Sequence, residues 1–131
     1  MSEVQRHGSG GPFEELVGYS RVVRAGDFLF VSGCTSVVDG EVVHAGEPAA
    51  QLRQAIENVR AALAQVGGAL ADVVRTRMFV TDIGRWEEFA AAHGDAFGEI
   101  RPASTMVEVS ALIDPRMLVE IEADAYLGGR P

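Results

Sequence analysis

Residues 47–81 read EPAAQLRQAIENVRAALAQVGGALADVVRTRMFVT. Glu47-Pro48 opens a helix, because proline suits the first helical turn and a carboxylate suits the positive end of the dipole. Leu52, Ala55, Ile56, Val59, Ala62, Leu63 and Val66 then recur at spacings of three and four, which makes one apolar stripe. Gly67-Gly68 stops the helix. From Val73 to Thr81 the period changes to two. Val74, Thr76, Met78 and Val80 alternate with Arg75, Arg77 and Phe79, the pattern of a strand with one face under helices.

Outward from this unit the same rules predict the neighbours. Tyr19–Arg24 and Phe28–Ser32 flank Ala25-Gly26-Asp27, a hairpin signal. Asp39-Gly40 predicts a tight turn between Thr35–Val38 and Glu41–His44. Downstream, Asp82-Ile83-Gly84 turns into a second helix from about Arg85 to Phe97, with Trp86, Phe89, Ala90, His93 and Phe97 along one side. Strands over Ser104–Val109 and Met117–Tyr126 follow, with a turn around Asp114-Pro115. The order is ββαβαββ, an α+β plan with two helices on one face of a mixed sheet. Residues 1–16, polar and rich in glycine (Gly8, Gly10, Gly11), predict a flexible N-terminal arm, and residues 17–131 a single domain.

In the last strand Val119, Ile121, Ala123 and Ala125 alternate with Glu120, Glu122, Asp124 and Tyr126. The face away from the helices is then expected to carry Arg75, Arg77, Glu120 and Glu122, with Ser104, Met106 and Glu108 beside Phe28, Phe30 and Phe79. Two helices cannot cover both sides of such a sheet. A face mixing arginine, carboxylate and aromatic groups predicts burial against further copies of the chain, hence a closed homo-oligomer, with a solvated face of scattered charge pairs as the alternative.

Composition narrows the partners. The 131 residues carry 47% apolar side chains and a formal net charge of −8, which fits one soluble domain. Every basic residue is an arginine, and the acidic excess opposes binding to nucleic acid or an anionic membrane. The single cysteine, Cys34, excludes an internal disulfide and suits a reducing compartment. The opening MSEVQRHGSGGPFEE has no apolar core of a secretory signal, and no apolar run spans a membrane, so a cytoplasmic protein is expected. His7, His44 and His93 have no paired ligand spacing, and no metal is expected. Cys34 has no histidine placed to act as its base and is expected to be inert.

The chain resembles the reactive-intermediate deaminase family, the RidA-like or YjgF-like proteins, over nearly all of Val17–Ala125. The resemblance is carried by Gly18-Tyr19-Ser20, by Gly26-Asp27 with Phe30-Val31-Ser32-Gly33, and by Gln51, Gln54 and Asn58. It continues through Val74-Arg75-Thr76, Val80-Thr81-Asp82, Pro102-Ala103, Val107-Glu108-Val109 and Val119-Glu120-Ile121-Glu122-Ala123. It implies a chorismate-mutase-like fold, a homotrimer with three inter-subunit clefts, and hydrolysis of 2-imino acids to 2-oxo acids and ammonia with no cofactor.

By that resemblance Glu120 matches the glutamate that positions water, Tyr19 the cleft tyrosine and Ser32 the cleft serine. Ser104 stands where the family's carboxylate-binding arginine stands, Met106 where cysteine is usual, and Ala90 where a helix asparagine is expected. The segment Ser104-Thr105-Met106 is accordingly expected to line the substrate cleft of an arginine-lacking branch. Arg77, on the expected Glu120 face, and Arg101, just before Pro102, are candidate replacement cations, with pairing of Arg77 to Glu122 or Glu108 the alternative. The function expected is a trimeric protein with clefts for a small carbonyl- or imine-type metabolite, with cofactor-free deaminase chemistry if it is an enzyme. A non-catalytic metabolite-binding or protein-interaction trimer is the alternative. An endoribonuclease is a third reading that the charge disfavours.

Overall fold

The computed structural model describes residues 3–130. Among the described residues eight strands and three α-helices succeed one another. They are β1 (Val4–His7), α1 (Pro12–Val17), β2 (Val22–Ala25), β3 (Phe28–Cys34), β4 (Val37–Val38), β5 (Glu41–Val42), α2 (Pro48–Ala64), β6 (Val73–Val80), α3 (Trp86–Phe97), β7 (Ala103–Glu108) and β8 (Val119–Tyr126). Six strands form one sheet in the order β1-β2-β3-β8-β6-β7, while β4 and β5 make a separate ribbon. Only β6 and β7 pair in parallel, joined through α3, so the sheet is mixed. From β2 onward the main sheet and its two long helices follow ββαβαββ, and the fold is α+β.

The core forms where the two periods meet. Leu52, Ile56, Val59 and Leu63 of α2 and Phe89 and Phe97 of α3 are buried against Leu29, Val31, Met78, Val80, Ile121 and Ala123 of the sheet. Each such large side chain contributes about 2 kcal/mol on leaving water. Polar residues of α2 fasten the loops. Gln51 is fully buried, donates from Nε2 to the Arg116 carbonyl at 2.8 Å and accepts from the Leu118 N–H at 2.8 Å. Asn58 donates to the Thr35 and Val37 carbonyls at 2.9 and 3.0 Å. These bonds hold the approaches to β8 and β4.

Three expectations are corrected. The arm expected over residues 1–16 carries regular structure among its described residues. Val4–His7 pairs antiparallel with β2, and Pro12–Val17 is a helical turn and a half closed by Gly18 at φ 91°. Second, Val74 does not lie under the helices. The pairing of β6 with β8 slips between Val73 and Arg75, a bulge that leaves Val73 buried and turns Val74 out to 49% exposure. Third, Ser104 and Met106 do not share the Glu120 face. In the parallel register Ser104 sits beside buried Thr76 and Met106 beside buried Met78, on the helix side, while Thr105 sits beside Arg77 on the open side. Glu108, opposite buried Val80 and accepting from the Ile83 N–H at 3.0 Å, follows Ser104.

Candidate functional site

Tyr19, Ser32 and Glu120 come together around a residue that the sequence reading did not single out, Arg21. A slip in the β3–β8 pairing between Val31 and Cys34 lifts Ser32 and Gly33 from the ladder. Their carbonyls are taken up by Arg21, whose Nη1 donates to Ser32 O at 3.2 Å and to Gly33 O, and approaches Cys34 Sγ at 3.6 Å. Nη2 donates to Tyr19 Oη at 3.0 Å, and the guanidinium lies 5.4 Å from the Tyr19 ring centroid. The Ser32 hydroxyl donates to Ser20 O at 2.7 Å.

Nε of Arg21 lies 3.5 Å from Glu14, a buried carboxylate that also accepts from the Ser9 N–H at 2.9 Å and from the Ser9 hydroxyl. Burial raises the Glu14 pKa, but the two Ser9 bonds and Arg21 outweigh it and hold the carboxyl below its usual value. The N-terminal segment thereby latches onto the cluster.

Glu120 lies across Gly33. A Cβ on Gly33 would collide with the Glu120 carboxylate, so the bare backbone is what admits it there. Burial pushes its pKa up, Arg21 opposes that and Glu122 adds to it, and the balance is upward. Burial likewise raises the Cys34 thiol against the pull of Arg21, leaving it protonated at neutral pH.

Arg77 is engaged elsewhere on the open face. Its Nη1 lies 3.3 Å from Glu122 and 3.2 Å from Asp124, the structural pairing held open above, with Glu122 rather than Glu108 as a partner. Beside it Phe28, Phe30, Val74, Arg75 and Asp124 line a shallow depression of about 530 Å³. Phe28 and Phe30 are 51% and 46% exposed, which leaves an apolar patch on this face.

The remaining candidates sit at the other edge of the sheet. Thr76, fully buried, donates to Ser104 Oγ at 2.7 Å and lies 2.8 Å from His93 Nε2. A threonine hydroxyl has one proton, so with that proton on Ser104 its oxygen accepts from His93 Nε2–H. Burial lowers the His93 pKa and keeps the ring neutral. Met106 packs against the core nearby. Within one chain, then, Glu120, Tyr19 and Ser32 form one cluster, Ser104 and Met106 lie on the opposite side of the sheet, and Thr105 and Arg77 share the open face. Arg21 had a sequence signal, an arginine directly after Tyr19-Ser20 at the start of the apolar run Val22-Val23. Among the described residues no three His, Cys, Asp or Glu side chains gather as a metal site, and no helix is long and apolar enough to cross a membrane.

Comparison with known proteins bears on this geometry. The family described as Endoribonuclease L-PSP matches residues 12–127. A crystal structure from Mycobacterium tuberculosis, of a member of the YjgF/YER057c/UK114 family, superposes with a TM-score of 0.84 at 52% identity, covering 94% of this chain and 98% of that one. A RutC family protein of Pyrococcus horikoshii is 38% identical over 82% of this chain and 86% of its own length. The 3-aminoacrylate deaminase RutC of Acinetobacter baylyi is 32% identical over 86% of this chain and 89% of its own.

Proposed function

The chain belongs to the Endoribonuclease L-PSP family, which includes YjgF-like and RutC relatives, and from that premise we propose that it hydrolyses a small imine or enamine without a cofactor. The observation that carries the reading is Glu120, a carboxylate laid on bare Gly33 with its pKa raised by burial. A carboxylate whose pKa is raised by burial is a stronger base than an ordinary one for the proton it takes and returns. Water adds its oxygen to the C=N carbon while Glu120 accepts the proton and passes it to nitrogen, giving a carbinolamine. The C–N bond then breaks, ammonia leaves and the hydroxyl proton is lost to the departing nitrogen, so imine plus water becomes carbonyl plus ammonia. An enamine enters by gaining a proton at carbon and losing one from nitrogen, which gives the imine.

The reading puts this chemistry between subunits of a homotrimer. The exposed Phe28 and Phe30 support an open face covered by further copies. The separation of Glu120 from Ser104 within one chain supports a cleft to which neighbours contribute different halves. A second reading, a trimer that binds a metabolite without turnover, is favoured by Ser104, since a neutral hydroxyl tied to Thr76 is no substitute for a guanidinium fork. The family's name points to RNA, but the net charge of −8 gives no footprint for it.

The experiment is ammonia release from imines generated in place by an amino-acid oxidase. Wild-type protein should accelerate it, and Glu120→Gln should slow it by on the order of 10²–10⁴. No acceleration by wild type, with binding of the 2-oxo acid retained, would select the second reading. Light scattering should give about three chain masses, and a monomer at micromolar concentration would remove the inter-subunit cleft.

A further inference from the structure

Thr76 on β6 is fully buried, and its hydroxyl stands between His93 Nε2 of α3 at 2.8 Å and Ser104 Oγ of β7 at 2.7 Å. The parallel register sets Thr76 beside Ser104, and the His93 ring packs on Phe97, with the two ring centroids 4.7 Å apart. Three separate elements thus meet at one buried oxygen. Valine has nearly the same shape as threonine and would fill this place with no hydroxyl to satisfy, so packing alone does not account for Thr76.

Both ends of the line are open. With His93 donating from Nε2, Thr76 passes its own proton to Ser104, and Ser104 keeps a proton that no group among the described residues accepts. Ser104 is exposed, so this donor is accessible to a ligand. At the other end Nδ1 of His93 has no partner among the described residues. The ring forms part of the wall of a cavity of about 250 Å³ between the end of α3 and the start of β7, with room for several waters. Burial lowers the His93 pKa, so the ring is neutral and Nδ1 keeps its lone pair. A free donor, two short hydrogen bonds and a free acceptor are the parts of a proton line.

We propose that this line delivers a proton to the nitrogen that leaves in the hydrolysis, with Ser104 as the catalytic acid and Thr76 and His93 as the residues that position and resupply it. The inference rests on the proposed function for its reaction, and in the cleft proposed there the acid comes from one copy and the base Glu120 from its neighbour. As the C–N bond of the carbinolamine breaks, its nitrogen takes the Ser104 proton. Ser104 takes the proton of Thr76, Thr76 takes that of His93 Nε2, and Nδ1 takes one from solvent in the cavity. The ring changes tautomer and carries no net charge. The carbinolamine hydroxyl gives its proton to Glu120, which releases it to solvent, so one proton enters the site and one leaves. The net transfer from hydroxyl to nitrogen is the one given above, made through residues and solvent. The hydroxyls then rotate back, and the ring exchanges its proton with cavity water.

Ammonia release from imines generated in place by excess amino-acid oxidase, in mixtures of H2O and D2O, tests the line. Ser104→Ala, Thr76→Val and His93→Gln should each lower kcat by on the order of 10²-fold with KM unchanged, and Thr76→Ser should keep the wild-type rate. Glutamine can still donate an N–H to Thr76, but it cannot take a proton at one atom and release it at another. A merely structural histidine therefore predicts the wild-type rate for His93→Gln. With several protons moving together, the wild-type rate should fall along a curve as the deuterium fraction rises, and along a straight line in His93→Gln. Wild-type rates in Thr76→Val and His93→Gln, with Glu120→Gln slow, would overturn the line and leave the proposed reaction standing. Slower variants that keep the wild-type curve would make the line a scaffold and overturn its transfer of protons. No acceleration by wild type would overturn the reaction and the line together.

Discussion

The cluster around Arg21 and the edge around Thr76 are both partly buried polar networks, and they are built on opposite terms. At Arg21 one charge satisfies many partners: two backbone carbonyls, a phenol, a thiol and a carboxylate from the N-terminal segment. At Thr76 three neutral groups pass hydrogen bonds in a line from His93 to Ser104, and no charge is involved. The first arrangement fixes backbone, because the guanidinium donates to the Ser32 and Gly33 carbonyls at the irregularity of β3. The second fixes only side chains. Charge at one site and neutrality at the other would let a single ligand be read at two ends, if copies of the chain bring them together.

The sharpest way to break the contrast is Arg21→Leu. It takes the guanidinium donor from the Ser32 and Gly33 carbonyls and the counter-charge from Glu14. Removing one partner of a largely buried ion pair costs about 3 kcal/mol or more, and chemical denaturation should show that loss. A change below about 1 kcal/mol would mean that water replaces the guanidinium and that the cluster is not an organising centre. Arg21→Leu should also push the Glu120 pKa further up, since Arg21 is the one group that lowers it.

Thr76→Val should do much less. It keeps shape and removes the hydroxyl, but Ser104 is exposed and His93 only partly buried, so both can turn to water. About 1 kcal/mol is expected. A loss as large as that of Arg21→Leu would make the neutral line as structural as the charged cluster and erase the distinction.

What sequence could show follows the same division. The helix stripe from Leu52 to Val66 and the alternation Val119–Tyr126 are local periodicities, and both elements formed where the spacing predicted. Strand β1 was not legible because Val4–His7 is mostly exposed and polar, and its order comes from pairing with β2. The side on which Ser104 falls was misjudged for a related reason. Alternation fixes which residues of β7 share a face, while the choice of face is set by non-local register against β6. Tyr19, Ser32 and Glu120 were found through motif resemblance and do lie in one cluster. Arg21 has one local sign, its place directly after Tyr19-Ser20, but its role depends on the carbonyls at the irregularity of β3, which that local sign does not announce.

The smallest effect expected separates two carboxylates that both face Arg21. Glu14 is satisfied by Ser9 and titrates low, whereas burial holds Glu120 high. A carboxyl with a raised folded pKa binds its proton more tightly when folded, so stability falls as pH rises through that value. Ionised Glu120 is therefore a small cost at pH 7, and Glu120→Gln should raise Tm there, with the difference closing toward pH 4 as the native side chain protonates in both states. For Glu14 the sign reverses. Its folded pKa lies below the unfolded value of about 4.3, so its contribution is complete above that pH and is lost as pH falls. Glu14→Gln should lower Tm at pH 7, and the gap should narrow in acid. Scanning calorimetry of both variants at pH 7 and pH 4 decides it. If Glu120→Gln melts below wild type at pH 7, Glu120 stabilises the fold as a charge, and its placement over Gly33 would be a structural contact with no catalytic poise behind it.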